Sequence, residues 1–226
     1  MTTVHPWGRR LCAALAFIAS MAHAGEPAAD RFIAFVGQKI SVEEFKPPSK
    51  CKQPVETRTD GTALVCFEIP NAAFHAEYRV LKMVYGQYDN ATLRFDAFDH
   101  YGSPAFANYE HVLLFVSRRD DGTWVHEKYQ YYPVYETVDG DWAACGSADR
   151  FEHPTRRGPS TARPIAFKKP VIERLPHLPA DELNEWFPPS DWLHGQGTAL
   201  CRQGTPLAEL FEAKKRGVLK ARGLFE

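Results

Sequence analysis

Four turn signals cut the middle of this chain into strand-length pieces, and they constrain its fold more than any other feature. They are Asp60-Gly61, Asp89-Asn90, Asp121-Gly122 and Asp139-Gly140. Asp, Asn and Gly tolerate the positive φ that tight hairpins need, so each pair marks a chain reversal. The flanking segments alternate with the period of a strand. In AEYRVLKMVYG, Tyr78, Val80 and Lys82 fall opposite Arg79, Leu81 and Met83. In ATLRFDAFD, Leu93, Phe95 and Ala97 fall opposite Arg94, Asp96 and Phe98. HVLLFVS (His111–Ser117) is a continuous apolar run, the mark of a central strand buried on both faces. RFIAFVGQKISVEEF (Arg31–Phe45) is long and interrupted by Gly37, where a bulge or bend is expected. Together these segments predict an antiparallel meander that closes into a barrel or folds as a β-sandwich.

The N-terminus supplies the compartment. Arg9 and Arg10 precede an apolar run from Leu11 to Ala22, and Ala22-His23-Ala24 has the small residues of a cleavage site. Residues 1–24 therefore read as a signal peptide, and the protein is expected in the periplasm or secreted, starting near Gly25. The run is shorter than the roughly 20 apolar residues of a bilayer span, so no membrane span is expected. Cleavage removes Cys12 and leaves Cys51, Cys66, Cys145 and Cys201. Four cysteines in an oxidising compartment favour two disulfides with three possible pairings, of which Cys51–Cys66 with Cys145–Cys201 is the expected set.

After Cys145 the texture changes. Residues 25–145 form the expected β domain. Residues 146–204, with Pro154, Pro159, Pro164 and Pro170 among basic and hydroxyl residues, read as an extended connector with at most one edge strand, Ile165–Phe167, and one short helix in LPADELNEWF. Residues 205–226 read as a helix docked on the β domain, with Thr205 as N-cap, Pro206 at its first helical position and Gly217 as its cap. Residues 25–145 hold 12 Lys/Arg against 18 Asp/Glu, a net of −6, whereas residues 146–226 hold 13 against 10, a net of +3. Such a split implies two differently charged faces. It lacks the strongly basic domain of a nucleic-acid binder.

Short motifs in Arg31–Tyr135 resemble bacterial netrin-like, TIMP-like domains of the OB-fold type. Phe35-Val36-Gly37 fills the place of the opening strand, and Val84-Tyr85-Gly86 ends the next. Leu93-Arg94-Phe95 matches the strand of alternating polarity, and Val112–Val116 the apolar strand. The resemblance implies an OB-like barrel and an extracytoplasmic binding role. The family's cysteine pair at the mature N-terminus is missing, and Cys145-Gly146 follows the apolar strand instead of preceding it. Metal chelation by an N-terminal cysteine, and with it protease inhibition, is not implied.

Candidate sites follow from the residues themselves. HEKYQYYPVYETVDGDW (His126–Trp142) concentrates four tyrosines and a tryptophan. Strand parity places Tyr129, Tyr131 and Tyr135 on one face, with Tyr132 and Val134 on the other, joined by Trp124 and His126 if no bulge intervenes. Pro133 implies an edge strand. Such a face either covers a core or stacks on a sugar or partner, and Tyr129, Tyr131, Tyr135 and Trp142 are the ligand-binding candidates. Arg156, Arg157, Arg163, Lys168 and Lys169 could contact an anionic partner. His126-Glu127 begins a zinc-protease motif, but residue 130 is Gln and the segment is a strand. Cys145-Gly146-Ser147 resembles a nucleophile site, but an oxidising compartment favours a disulfide there. Asp96, Asp99, His100 and His111, with Glu110, are the alternative: an Asp/His cluster for a metal-dependent hydrolase. The function expected is non-catalytic recognition of a protein or an envelope glycan, with no cofactor. The hydrolase and a structural envelope protein are the rivals.

Overall fold

The computed structural model describes residues 31–47, 71–151, 155 and 157–226, with the backbone of Glu56–Thr57 and Ala63–Leu64. The expected signal peptide, the expected Cys51–Cys66 pairing and Asp60-Gly61 turn, and Arg156 lie outside the described residues. The strands are β1 (Phe32–Phe45), β2 (Glu56–Thr57), β3 (Ala63–Leu64), β4 (Ala72–Tyr85), β5 (Thr92–Asp99), β6 (His111–Arg118), β7 (Trp124–Pro133), β8 (Tyr135–Glu136) and β9 (Trp142–Cys145). They continue with β10 (Arg163–Pro164), β11 (Ile172–Arg174), helix α1 (Ala180–Trp186), β12 (Trp192–His194), β13 (Thr198–Cys201), β14 (Gln203–Pro206) and helix α2 (Leu207–Lys214). The chain is mainly β with a C-terminal helix.

Five long strands pair in the order β1-β4-β5-β7-β6, and β6 pairs back with β1. The expected meander is antiparallel throughout, but this sheet is mixed, because β5 and β7 run parallel where Asp96 faces Val125. Residues of β1 and β6 are buried on both faces, and their alternation explains how. Ile33 and Phe35 pack with Tyr78, Phe95, Phe106 and Leu114 on the inner face of the sheet. Phe32, Ala34 and Val36 point the other way and pack with Leu113, Phe115 and Tyr132 under Leu210 and Phe211 of α2. Full burial of each Phe or Leu contributes about 1.5–3 kcal/mol, so β1 and β6 hold two cores together.

Gly37 bends β1 as expected. The register shifts between Val36 and Gly37, and a Cβ at Gly37 would meet the Phe35 ring at 2.9 Å and the Tyr78 ring at 3.0 Å. The Asp121-Gly122 and Asp139-Gly140 turns also form, with Gly122 at φ +86° and Gly140 at +82°.

The segment read as an extended connector instead builds two small sheets. One pairs β10-β14-β9-β8 and the other β11-β13-β12. Their core gathers Val171, Phe187, Trp192 and Ala199 around Cys145, whose disulfide to Cys201 joins the two sheets over a Cα–Cα distance of 6.0 Å. Proline spacing hid these strands because each is only two to four residues long. Arg150 fixes the junction. Its guanidinium donates to the Cys145 carbonyl (3.1 Å), pairs with Glu173 (3.2 Å) and lies 4.9 Å from the Trp192 ring centroid. A buried cation is tolerated only with such partners.

Helix α2 begins at Leu207, after the expected cap. Thr205 is a buried strand residue whose hydroxyl donates to the Gly146 carbonyl at 2.8 Å. Gly217 does not end the helix either. It breaks the turn Lys215–Leu219 with non-helical angles, and Phe225 then packs on Phe32 (5.4 Å between centroids) and Tyr85 (5.2 Å).

Candidate functional site: an aromatic bulge on β7

Strand β7 carries an insertion. Leu114 faces Tyr131 and Val116 faces His126, so Glu127–Gln130 stand opposite Phe115 alone. The bulge is fastened from within. His126 Nε2–H donates to the Gln130 carbonyl at 2.8 Å, and Gln130 Nε2 donates to the Lys128 carbonyl at 3.2 Å. His126 is buried against Phe106, 4.6 Å between ring centroids, and burial lowers its pKa to about 4. It is a neutral core residue. At the crest, Tyr129 has φ +66°, and among the described residues no other non-glycine has positive φ. That conformation crowds Cβ against the backbone and costs about 1–2 kcal/mol.

Tyr129 is 46% exposed and Tyr101 is 86% exposed, and their ring centroids are 6.4 Å apart at an interplanar angle of 34°. Tyr101 is raised by a turn in which Asp99 Oδ1 accepts its backbone N–H at 2.9 Å, followed by Gly102 at φ +109°. His100 stands 5.4 Å from the Tyr101 ring, and Lys128 Nζ lies 5.0 Å from the Tyr129 ring. Lys128 also donates to Asn71 Oδ1 (2.9 Å), which borders a cleft of about 450 Å³ between the end of β1 and the start of β4. Phe45 lines that cleft and stacks parallel on His75 at 3.9 Å, and His75 Nδ1–H donates to Asp96 Oδ1 at 2.8 Å.

The bulge redistributes the tyrosines that parity placed together. Tyr131 turns inward with Phe106 and Tyr109, Tyr135 packs with Phe167 in the disulfide core, and Trp142 packs on the outer core beside His111. Burial pushes the Tyr131 hydroxyl up to about 12 and the Tyr135 hydroxyl higher still. Of the expected binding residues, only Tyr129 stands out from the surface. His126 changes side too, facing inward with Tyr131 and not outward with Tyr132. Pro133 does close β7, and after the bulge the strand pairs, among the described residues, only with β6.

The Asp/His cluster is dispersed. Asp96 bonds His75, Asp99 holds the Tyr101 turn, His100 lies on Tyr101, and His111 sits between Glu110 (3.7 Å) and Trp142. Among the described residues no three His, Cys, Asp or Glu side chains converge on one point. Three of the basic candidates are engaged within the chain. Arg163 pairs with Glu209 (2.7 Å), Lys168 with Glu136 (2.8 Å), and Arg157 donates to the Glu185 and Arg150 carbonyls; Lys169 is exposed.

What is assembled is a pair of exposed rings on a turn and a bulge, with a cation and an imidazole beside them. Sequence reading missed Tyr101, Lys128 and the His75–Phe45 stack. Tyr101-Gly102 offered a turn signal, but nothing in strand parity shows that a four-residue bulge would bring Tyr129 beside it. No family model matches the sequence, and no curated protein or solved structure matches it either.

Proposed function

We propose that this is an extracytoplasmic, non-catalytic binding module, built on an OB-like barrel, that recognises a cell-envelope glycan through Tyr101 and Tyr129. The strand order returning to β1 and the disulfide Cys145–Cys201 support the barrel and the compartment. The observation that carries the binding role is Tyr129. A bulky residue held at positive φ is a costly choice where glycine would be free, and half of its ring faces water. Core packing does not require the ring there, so its use lies outside the chain.

The neighbours favour a sugar. Protein hot spots sit in apolar, fully desolvated surroundings. Here the two rings are bordered by His100 and Lys128, and Asn71 bonds Lys128; these are groups suited to hydroxyls, while the C–H face of a pyranose stacks on each ring.

Calorimetric titration with soluble cell-wall glycan oligosaccharides tests this. Aromatic contacts contribute about 0.5–1.5 kcal/mol each, so Tyr101→Ala weakens binding roughly 2- to 12-fold. Absence of glycan binding by the wild type, or binding that Tyr101→Ala and Tyr129→Asn leave unchanged, sinks the proposal. Retention of a protein from an envelope extract without glycan binding supports the rival reading.

A further inference from the structure

We propose that Arg222, in the C-terminal segment, is a positioning residue for Tyr129; the inference rests on the reading of Tyr129 as a binding residue. Arg222 lies 94 positions from Lys128 in sequence, yet its guanidinium reaches the bulge with both terminal nitrogens. Nη1 donates to Glu127 Oε2 at 2.6 Å, and Nη2 donates to the Lys128 carbonyl at 2.8 Å. That carbonyl belongs to the peptide unit immediately before Tyr129, so its orientation and the φ of Tyr129 are set together.

Charge-assisted bonds from a planar fork are the strong, direction-sensitive kind. Glu127 carries its load on both oxygens, since Oε1 accepts the Ser117 hydroxyl at 2.5 Å. The Lys128 carbonyl accepts a second bond from Gln130 Nε2. The bulge is thus held from β6, from its own far end and from the C-terminal segment. A strained residue persists only where its surroundings over-determine it.

Arg222 is itself delivered by packed structure. Phe225 is 5% exposed against Phe32, Tyr85 and Phe211, and the Leu224 N–H donates to the Leu219 carbonyl at 3.0 Å. Tail docking and display of Tyr129 are therefore one coupled arrangement. Without Arg222 the Lys128 carbonyl keeps only the longer Gln130 bond, so the Lys128–Tyr129 peptide rotates out of the left-handed region more readily while both cores stay intact.

The test uses the full chain and compares wild type, Arg222→Gln and the milder Arg222→Lys, which keeps the charge but not the fork. The readouts are NMR resonances of Tyr129, amide hydrogen exchange and glycan titration. In Arg222→Gln the Tyr129 Cα resonance moves toward extended values. Exchange of the 127–131 amides quickens at least tenfold, while Leu113–Val116 amides stay within twofold. Arg222→Lys falls between. Glycan affinity drops at least fivefold in Arg222→Gln. An unmoved Tyr129 resonance with unchanged exchange at 127–131 in both variants overturns the positioning role. If those signals move but wild type binds no glycan, Arg222 still positions Tyr129 and the glycan reading is what fails.

Discussion

Lowering the pH should weaken this protein through one side chain, His126. The imidazole is buried and neutral in the folded chain, donating from Nε2 to the Gln130 carbonyl. Burial lowers its pKa from 6.5 to about 4. The unfolded chain binds the proton first, so the contribution of His126 is complete above pH 6.5 and is lost as pH falls from 6.5 to about 4. A fall of that size corresponds to about 3 kcal/mol at the acid end, with about 2 kcal/mol already gone at pH 5. Urea unfolding of wild type and His126→Gln between pH 7.5 and 4 measures this. The carboxylates are common to both proteins, so the difference between the two curves isolates His126. The stability advantage of the wild type should shrink by about 3 kcal/mol across that range. Parallel curves would refute the reasoning, because they would mean that His126 gains or loses no proton on unfolding.

Other expectations concern the scaffold. Replacing both Cys145 and Cys201 by Ala opens a cross-link over 56 positions and costs about 4 kcal/mol in the chain-entropy account, seen as a lower urea midpoint. Phe211→Ala removes the ring stacked at 5.3 Å on Tyr85 and should cost about 3–5 kcal/mol by the same assay. Gly37→Ala forces a methyl against the buried Phe35 and Tyr78 rings and should cost about 1–3 kcal/mol, which outweighs the gain of under about 1 kcal/mol from reduced freedom of the unfolded chain.

The long strands were legible because their signals are local. His111–Ser117 announces a strand buried on both faces, Gly37 announces the bend in β1, and Asp121-Gly122 and Asp139-Gly140 announce their turns. Cysteine count announced disulfides but left three pairings open, and of the expected pair of bonds Cys145–Cys201 is the one seen among the described residues. The parallel contact of β5 with β7 had no local signature, since strand direction is set by which ends meet in space. The two small sheets escaped for a related reason: β10 to β13 are too short for a period to show. The site was half legible. The aromatic stretch does carry the exposed Tyr129, but parity fails across a bulge, and the three extra residues within Glu127–Gln130 move Tyr131 and Tyr135 into cores while lifting Tyr129. Tyr101 and Arg222 join it only through tertiary structure.

The central claim is that ligand meets the chain at the Tyr101–Tyr129 pair. Amide chemical-shift mapping during titration with a soluble cell-wall glycan oligosaccharide tests it most directly. Perturbations should concentrate at His100–Gly102 and Lys128–Gln130, and should vanish in a Tyr101→Ala, Tyr129→Asn double variant that remains folded. Perturbations centred elsewhere, on β11–β13 for example, or retained in the double variant, would contradict it.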